Sequence, residues 1–196
     1  MSYPNIALMG RARSGKDTIA KRLIHQAQYV RVAFADPLKD MALRIDPRIV
    51  YGEGLEWGPQ DTPLSLLVEH VGWERAKDEY PEVRRFLQHL GQSIREQDED
   101  FWLRQGLRKL DEAAKWNLPA VVTDVRYPNE YEALRGRGFV MTRVTRPEPG
   151  EIIDWNSIGG DHESETALSE HEYDVLVRNN GPLAQLYQDA DLLAGV

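Results

Sequence analysis

A glycine-rich loop after the first apolar segment constrains the fold more than any other feature of the chain. Residues 10–17 read Gly-Arg-Ala-Arg-Ser-Gly-Lys-Asp, which fits the G-x-x-x-x-G-K core of a phosphate-binding P-loop. An apolar run at 6–9 precedes this loop, and Ile19, Leu23 and Ala27 follow it at helical spacing. The order predicts strand, phosphate loop and helix, and it disfavours the alternative of a ligand-free glycine turn.

The predicted loop carries the groups that a nucleoside triphosphate requires. Its backbone N–H groups can surround phosphate oxygens, Lys16 can neutralise the β and γ phosphates, and the following helix adds the positive end of its dipole. Asp17 stands where the usual pattern has a Ser or Thr that binds Mg²⁺, so either the Asp17 carboxylate or the Thr18 hydroxyl can serve the metal. The candidate ATP contacts in the loop are Arg11, Ala12, Arg13, Ser14, Gly15, Lys16, Asp17 and Thr18.

Further apolar segments alternate with helical patterns along the chain. We expect strands at 30–34, 118–124, 139–144 and 173–177, and helices at 36–45, 82–95, 101–114 and 183–193. This alternation predicts an α/β fold, in which a parallel five-stranded sheet is flanked by helices and binds ligands at the carboxyl ends of its strands. We expect one domain over 1–196, with a mobile, partly helical insertion at 46–81 and a lid at 148–168.

Asp124 ends an apolar segment, at the position from which a Walker B carboxylate reaches Mg²⁺ or accepts a proton. The alternative is a helix cap or turn residue. Arg126 follows two positions later, and Arg84, Arg85, Gln88 and Arg95 lie on polar faces of the helix expected at 82–95. Solvated surface charge is the plain reading of each arginine, whereas a kinase that holds two polyanions together needs guanidinium groups of this kind.

Two loops are candidates for contacts to a nucleotide. Residues 161–165 read Asp-His-Glu-Ser-Glu after two glycines, so His162 and Glu165 are assigned to a closing lid. Arg143 and Arg146 lie around the end of the preceding strand, where they can contact phosphate on closure, and are assigned to the same lid. A passive surface loop is the alternative. Asn179, Asn180 and Gly181 follow the last expected strand as a turn whose backbone can edge an adenine ring, with Asn180 and Gly181 as the candidate ATP contacts. Asn-Gly is also an ordinary turn former.

Composition narrows the remaining classes. A formal net charge of −8 argues against a protein that coats nucleic acid, and the longest apolar runs are too short to cross a bilayer. The first residues lack the features of a signal peptide and the chain has no cysteine, so we expect a cytoplasmic protein. The histidines show no metal-ligand spacing, and the sequence leaves a homodimer open.

With these segments identified, the chain resembles the deoxynucleoside monophosphate kinases of bacteriophages, within the wider P-loop nucleoside monophosphate kinase group. The resemblance spans nearly the whole length, with poor coverage at 46–81. It is carried by Arg13-Ser-Gly-Lys-Asp-Thr18, Ala35-Asp-Pro-Leu-Lys39, Val83-Arg-Arg-Phe-Leu-Gln-His-Leu-Gly91, Phe101-Trp102, Thr123-Asp-Val-Arg126, Val144-Thr-Arg-Pro147 and Val177-Arg-Asn-Asn-Gly181.

The resemblance implies a P-loop kinase fold, in which the insertion at 46–81 lies on the acceptor side. It also implies transfer of the γ-phosphoryl group of ATP to a deoxynucleoside monophosphate (dNMP), with Mg²⁺ required. It places Leu38, Lys39, Arg84, Arg85 and the Asp124–Arg126 pair around the monophosphate, so that Lys16, Asp124 and Arg126 are the expected catalytic residues. Ala12 departs from relatives that carry a lysine there, which leaves base specificity open. The alternatives are another small-molecule P-loop kinase, similar to phosphomevalonate or dephosphocoenzyme A kinase, and a P-loop ATPase or switch without an acceptor.

Overall fold

The computed structural model describes residues 3–52, 60–146, 167–168 and 171–195, and its contacts divide the chain into two compact units. We call Met1–Phe34 together with Leu103–Val196 the sheet unit, and Ala35–Trp102 the inserted unit. The insertion expected at 46–81 lies within the inserted unit, which is longer at both ends. That the whole chain acts as one domain stays a prediction.

The described residues form strands and helices in the following order. The strands are β1 (Ile6–Met9), β2 (Val30–Val32), β3 (Arg48–Tyr51), β4 (Gln60–Pro63), β5 (Ala120–Val125), β6 (Val140–Thr145) and β7 (Val175–Arg178). The helices are α1 (Lys16–Ala27), α2 (Asp36–Ile45), α3 (Leu64–Glu79), α4 (Pro81–Gln97), α5 (Phe101–Lys115), α6 (Pro128–Gly136) and α7 (Leu183–Ala194).

The sheet unit contains a five-stranded parallel sheet in the order β2-β5-β1-β6-β7. Because β1 is the central strand, all four of its residues are buried, and neighbouring residues alternate between two apolar layers. Ile6 and Leu8 join the layer formed with α1 and α7, while Ala7 and Met9 join the layer formed with α5 and α6. The predicted fold class and all five predicted strands are confirmed.

The carboxyl ends of the five parallel strands lie along one edge of the sheet. β1 ends at the glycine-rich loop, β5 at Asp124 and Val125, and β7 directly before Asn179. Each of these segments carries candidate site residues, so the topology collects them at one edge.

The inserted unit has a core of its own, built by α2, α3, α4 and an antiparallel hairpin of β3 and β4. Ile49, Leu64 and Val83 are at most 1% exposed in this core. Helix α3 contains a kink at Gly72, whose φ of 78° and ψ of 161° are not helical. The hairpin was not predicted, and neither was α6. Among the described residues, no helix has the length and apolar character needed to cross a bilayer.

Candidate functional site

The glycine-rich loop adopts a backbone path that explains its two glycines. Gly10 and Gly15 have φ values of 139° and 112°, in the region that side-chain-bearing residues rarely adopt. A Cβ on Gly10 would lie 2.2 Å from the Val144 carbonyl oxygen, and one on Gly15 would lie 2.6 Å from Asn179 Nδ2. The loop therefore packs directly against the ends of β6 and β7, and α1 begins directly after it.

Lys16 reaches back across this loop. Its Nζ donates to the carbonyl oxygens of Gly10 at 2.8 Å and Arg11 at 2.6 Å, and it lies 3.4 Å from Ser14 Oγ. Lys16 is 8% exposed, so the stem is buried and the ammonium group is held among loop atoms at the start of α1. A cation at a helix N-terminus, beside N–H groups that have no partner within the helix, forms an anion site.

Three oxygen-bearing side chains are candidates for Mg²⁺. Asp17 is exposed in the first turn of α1, and Thr18 is half-buried beside it. Asp124 is half-buried at the end of β5, where its Oδ1 accepts a hydrogen bond of 2.9 Å from the backbone N–H of Phe34. Within the described ranges, no group of three or more His, Cys, Asp or Glu side chains is arranged to hold a metal. Mg²⁺ that is bound mainly through nucleotide phosphates needs only one or two carboxylates, so this oxygen set fits it.

Arg126 leaves β5 in a segment held by a buried carboxylate that the sequence analysis did not identify. Glu130 is 2% exposed, and its Oε2 accepts hydrogen bonds from the backbone N–H groups of Arg126 at 2.9 Å and Tyr127 at 3.1 Å. This is the carboxylate half of a capping box at the start of α6. A proline at 128 followed by a glutamate two positions later was the sequence signal for that helix start.

The turn after β7 makes a contact to the glycine-rich loop that the sequence analysis did not predict. Asn179 donates from Nδ2 to the Ser14 carbonyl oxygen at 2.9 Å, and its backbone N–H donates to Thr145 at 2.7 Å. Asn180 and Gly181, the predicted adenine contacts, are exposed and line a cleft of 740 Å³ between β7 and α7. Arg178, Pro182, Gln185 and Leu192 also line this cleft.

Apart from Arg126, the candidate acceptor residues lie on two packed helices of the inserted unit. Leu38 and Lys39 belong to α2, and a Cβ added to Gly91 of α4 would lie 3.2 Å from Leu38 Cδ2. Arg84, Gln88, Gly91 and Arg95 recur at spacings of four, three and four, which places them on one face of α4. Arg85 lies about 100° around the helix from Arg84, so it does not share that face.

The cations of this group have partners within the inserted unit. Arg84 contacts Asp78 at 3.3 Å, Arg85 pairs with Glu82, and Arg95 donates to the Glu99 carbonyl oxygen at 3.3 Å. Lys39 Nζ lies 5.9 Å from the centre of the Trp73 ring. Arg84, Arg85 and Gln88 are exposed, whereas Lys39 and Arg95 are half-buried.

Of the four residues assigned to a lid, His162 and Glu165 lie outside the described residues, and the range 148–168 is described only at Ala167 and Leu168. Arg146 is exposed just after β6. Arg143 donates from Nη2 to the carbonyl oxygens of Leu168 at 2.6 Å and His171 at 3.0 Å, and it stacks 4.9 Å from the Tyr173 ring centre. Burial lowers the pKa of Arg143 from its usual value. These contacts anchor the chain before β7, and a phosphate contact of Arg143 stays a prediction.

Comparison with known proteins identifies the family. The model of the deoxynucleotide monophosphate kinase family matches residues 68–190, more than half of the chain. The chain is 28% identical over 194 residues to a protein of Acanthamoeba polyphaga mimivirus named "Putative deoxynucleotide monophosphate kinase", covering 93% of this chain and 91% of the viral protein. It is also 35% identical over 108 residues to the uncharacterized protein ORF77 of Ictalurid herpesvirus 1 (strain Auburn), covering 54% of this chain and 45% of that protein.

The family match begins after the glycine-rich loop, so the loop at residues 10–18 is separate support for a nucleotide-binding enzyme. A kinase of this kind transfers a phosphoryl group, for which ATP is the implied donor. The chain belongs to the deoxynucleotide monophosphate kinase family and is a nucleotide kinase.

Proposed function

We propose that this protein transfers the γ-phosphoryl group of ATP to a deoxynucleoside 5′-monophosphate, giving the diphosphate and ADP, with Mg²⁺ required. The observation that carries the proposal is the position of Lys16, whose ammonium group is held against the loop between β1 and α1. Lys16 exchanges its carbonyl partners for the β and γ phosphates when ATP binds, since phosphate oxygens are the stronger acceptors.

The donor nucleotide uses two parts of the sheet unit. The loop residues Arg11 to Thr18 hold the triphosphate, and the turn at Asn180 and Gly181 edges the adenine ring in the cleft beside α7. Asp17, Thr18 and Asp124 would supply oxygen atoms to Mg²⁺ or to its water ligands, and the ion would neutralise charge on the phosphates.

To the acceptor monophosphate we assign Lys39, Arg84, Arg85, Arg95 and Arg126, together with Leu38 and Gln88. Exposed arginines that pair with nearby carboxylates keep forked donors available, and a phosphate binds such donors more strongly than a solvated carboxylate does. Most of the catalysis is positioning and charge stabilisation, with Arg143, Arg146, His162 and Glu165 contributing to a lid that excludes water.

A substrate panel tests this proposal. ADP release is measured with ATP and Mg²⁺ in the presence of each deoxynucleoside monophosphate, each ribonucleoside monophosphate, phosphomevalonate and dephosphocoenzyme A. We expect turnover with at least one deoxynucleotide and none without an acceptor. If phosphomevalonate or dephosphocoenzyme A is accepted and no nucleotide is, the chain is another small-molecule kinase. If ATP is hydrolysed at the same rate with and without every acceptor, the chain is an ATPase. EDTA is expected to abolish turnover and excess Mg²⁺ to restore it.

Arg126→Ala tests the acceptor side separately. Removal of one charge-assisted contact to phosphate is expected to raise KM for the deoxynucleotide by about tenfold or more, while KM for ATP stays near the wild-type value. Arg108→Ala, which removes an exposed arginine of α5, is the matched control and leaves both constants unchanged. Equal effects of the two substitutions remove Arg126 from the site.

A further inference from the structure

We propose that Asn179 is a positioning residue for the donor site, which holds the Ser14–Gly15 peptide of the phosphate loop in its ATP-binding orientation. This inference rests on the proposed function and adds a residue to it. The sequence analysis treated Asn179 only as part of a turn, and assigned ATP contacts to Asn180 and Gly181 instead.

The contact joins two segments that are far apart in the chain. Asn179 Nδ2 donates to the Ser14 carbonyl oxygen at 2.9 Å, across 165 positions of sequence. The Asn179 backbone is itself fixed, because its N–H donates to the Thr145 carbonyl oxygen at 2.7 Å at the ends of β6 and β7. The amide group therefore approaches the loop from the rigid edge of the sheet.

Because of peptide geometry, this hydrogen bond also sets the direction of a backbone N–H group that can donate to phosphate. In a trans peptide the C=O of Ser14 and the N–H of Gly15 point in opposite directions in one plane. When Asn179 holds the Ser14 oxygen, the Gly15 N–H is directed away from Asn179. Backbone N–H groups of such loops are the donors to phosphate oxygens, so Asn179 sets the direction of one of them.

Gly15 is fitted to this side chain. Its φ of 112° is unfavourable for residues with a Cβ, and an added Cβ would lie 2.6 Å from Asn179 Nδ2 and 3.2 Å from Leu186 Cδ2. The amide occupies the space that a side chain at position 15 would need. The loop conformation and Asn179 therefore depend on one another.

The chemistry requires a hydrogen-bond donor at this position. The Ser14 carbonyl oxygen only accepts hydrogen bonds, so its partner must donate, and the Asn NH₂ group does so. An aspartate of the same shape would face that oxygen with a second acceptor and would add a negative charge near the phosphates. Asn179→Asp is therefore expected to be more damaging than Asn179→Ala.

Steady-state kinetics on the full chain test the inference. Asn179→Ala is expected to raise KM for ATP by about tenfold, and Asn179→Asp by more, while KM for the deoxynucleotide changes by less than about twofold. Gln188→Glu, an amide-to-carboxylate change on the exposed face of α7, is the matched control for Asn179→Asp and leaves both constants unchanged. Thermal unfolding is measured for every variant.

The split between the two KM values separates positioning from simple packing. If Asn179→Ala lowers Tm but moves both KM values equally, or leaves KM for ATP within about twofold of wild type, the inference is overturned. If Asn179→Asp does not fold, Asn179→Ala alone decides. Calorimetric binding of ADP to wild type and Asn179→Ala gives the same answer without turnover. An inactive wild type that loses about tenfold in ADP affinity on this substitution contradicts the proposed acceptor and supports the role of Asn179.

Discussion

The two units hold their candidate binding groups in different ways. In the sheet unit, Lys16, Asp124 and Asn179 are buried or half-buried, and the side chain of each contacts backbone atoms. Lys16 contacts carbonyl oxygens of its own loop, whereas Asp124 and Asn179 contact segments distant in the chain. In the inserted unit, Arg84 and Arg85 are exposed and pair with carboxylates close in sequence. Contacts to a fixed backbone set a geometry before any ligand arrives, whereas exposed ion pairs exchange partners at little cost. The candidate donor residues are thus pre-organised, and the candidate acceptor residues of the inserted unit are adjustable.

Lys16→Ala is the strongest test of that contrast. Loss of the charge that faces the transferred phosphoryl group is expected to lower kcat by at least about a hundredfold. Lys21→Ala, which removes an exposed lysine from the same helix, is the control and leaves kcat unchanged. Circular dichroism shows whether both variants keep the native fold. Near-normal turnover of a folded Lys16→Ala protein would mean that the γ phosphate lies elsewhere.

Gly15→Ala tests whether the donor loop tolerates a small distortion. Gly138 also has a positive φ, 74°, but an added Cβ there meets no atom within 4 Å. We expect Gly138→Ala to reduce the free energy of unfolding by about 1 kcal/mol from backbone strain alone. Gly15→Ala is expected to lose about 1–3 kcal/mol more, because its Cβ also overlaps Asn179.

The kinetics of the same two glycine variants distinguish an effect on the glycine-rich loop from a general effect of backbone strain. KM for ATP is expected to rise in Gly15→Ala and to stay at the wild-type value in Gly138→Ala, as measured beside Tm for both proteins. If the two substitutions have equal effects on Tm and KM, the loop is not held against Asn179 in solution.

The contrast between units also explains what could be predicted from the sequence. Buried strands of a parallel sheet are continuously apolar, as β1 is throughout and β5 is over residues 120–122, and both strands were predicted correctly. The glycine-lysine spacing of the loop is specific, and the predicted order of strand, loop and helix is confirmed. Phosphate binding by the loop stays a prediction. The hairpin of β3 and β4 was missed because its exposed residues, such as Val50 and Asp61, do not show a clean alternation. Short strands stabilised by their partner carry little signal of their own.

Site residues that act through tertiary contacts were the hardest to predict. Asn179 donates a hydrogen bond to Ser14, which lies 165 positions earlier in the chain, and no local sequence pattern predicts that contact. Glu130 did carry a local signal, the capping pattern of α6, which was not used. Arg143 was assigned to phosphate because of its charge, while its described contacts to Leu168 and His171 depend on how the chain returns to β7.

Arg84→Ala tests the candidate acceptor residues of the inserted unit. We expect KM for the deoxynucleotide to rise by several-fold, about tenfold at most, because neighbouring cationic side chains still bind the phosphate group. Tm is expected to stay close to wild type, because exposed ion pairs contribute little to stability. Arg75→Ala is the matched control: Arg75 is exposed in the same unit and pairs with Glu79 at 2.8 Å, outside the candidate acceptor set.

A rise in KM of the same size in Arg75→Ala would indicate a general effect of net charge on substrate approach. Repeating both measurements at high salt checks this reading, because long-range attraction is screened and direct phosphate contacts are screened less.

The smallest effect is expected from ion pairs that lie outside both candidate halves of the site. Arg22 of α1 donates two hydrogen bonds, of 2.8 and 2.7 Å, to Asp191 of α7. These bonds lower the pKa of Asp191 from its usual value. A carboxylate with a lowered folded-state pKa stabilises the native state above the pKa of the unfolded chain, about 4, and this stabilisation is lost as the pH falls through the folded-state value.

Asp191→Asn should therefore lower Tm slightly at pH 7, and the difference from wild type should shrink below about pH 4. Asp61→Asn is the comparison in the inserted unit, since Arg48 also lowers the pKa of Asp61. The side chains of Arg48 and Asp61 are 61% and 42% exposed, against 29% and 26% for Arg22 and Asp191. Solvent screens the more exposed pair more strongly, so its substitution should change Tm less. Equal changes in Tm would show that the lower exposure of the Arg22–Asp191 pair does not increase its contribution to stability.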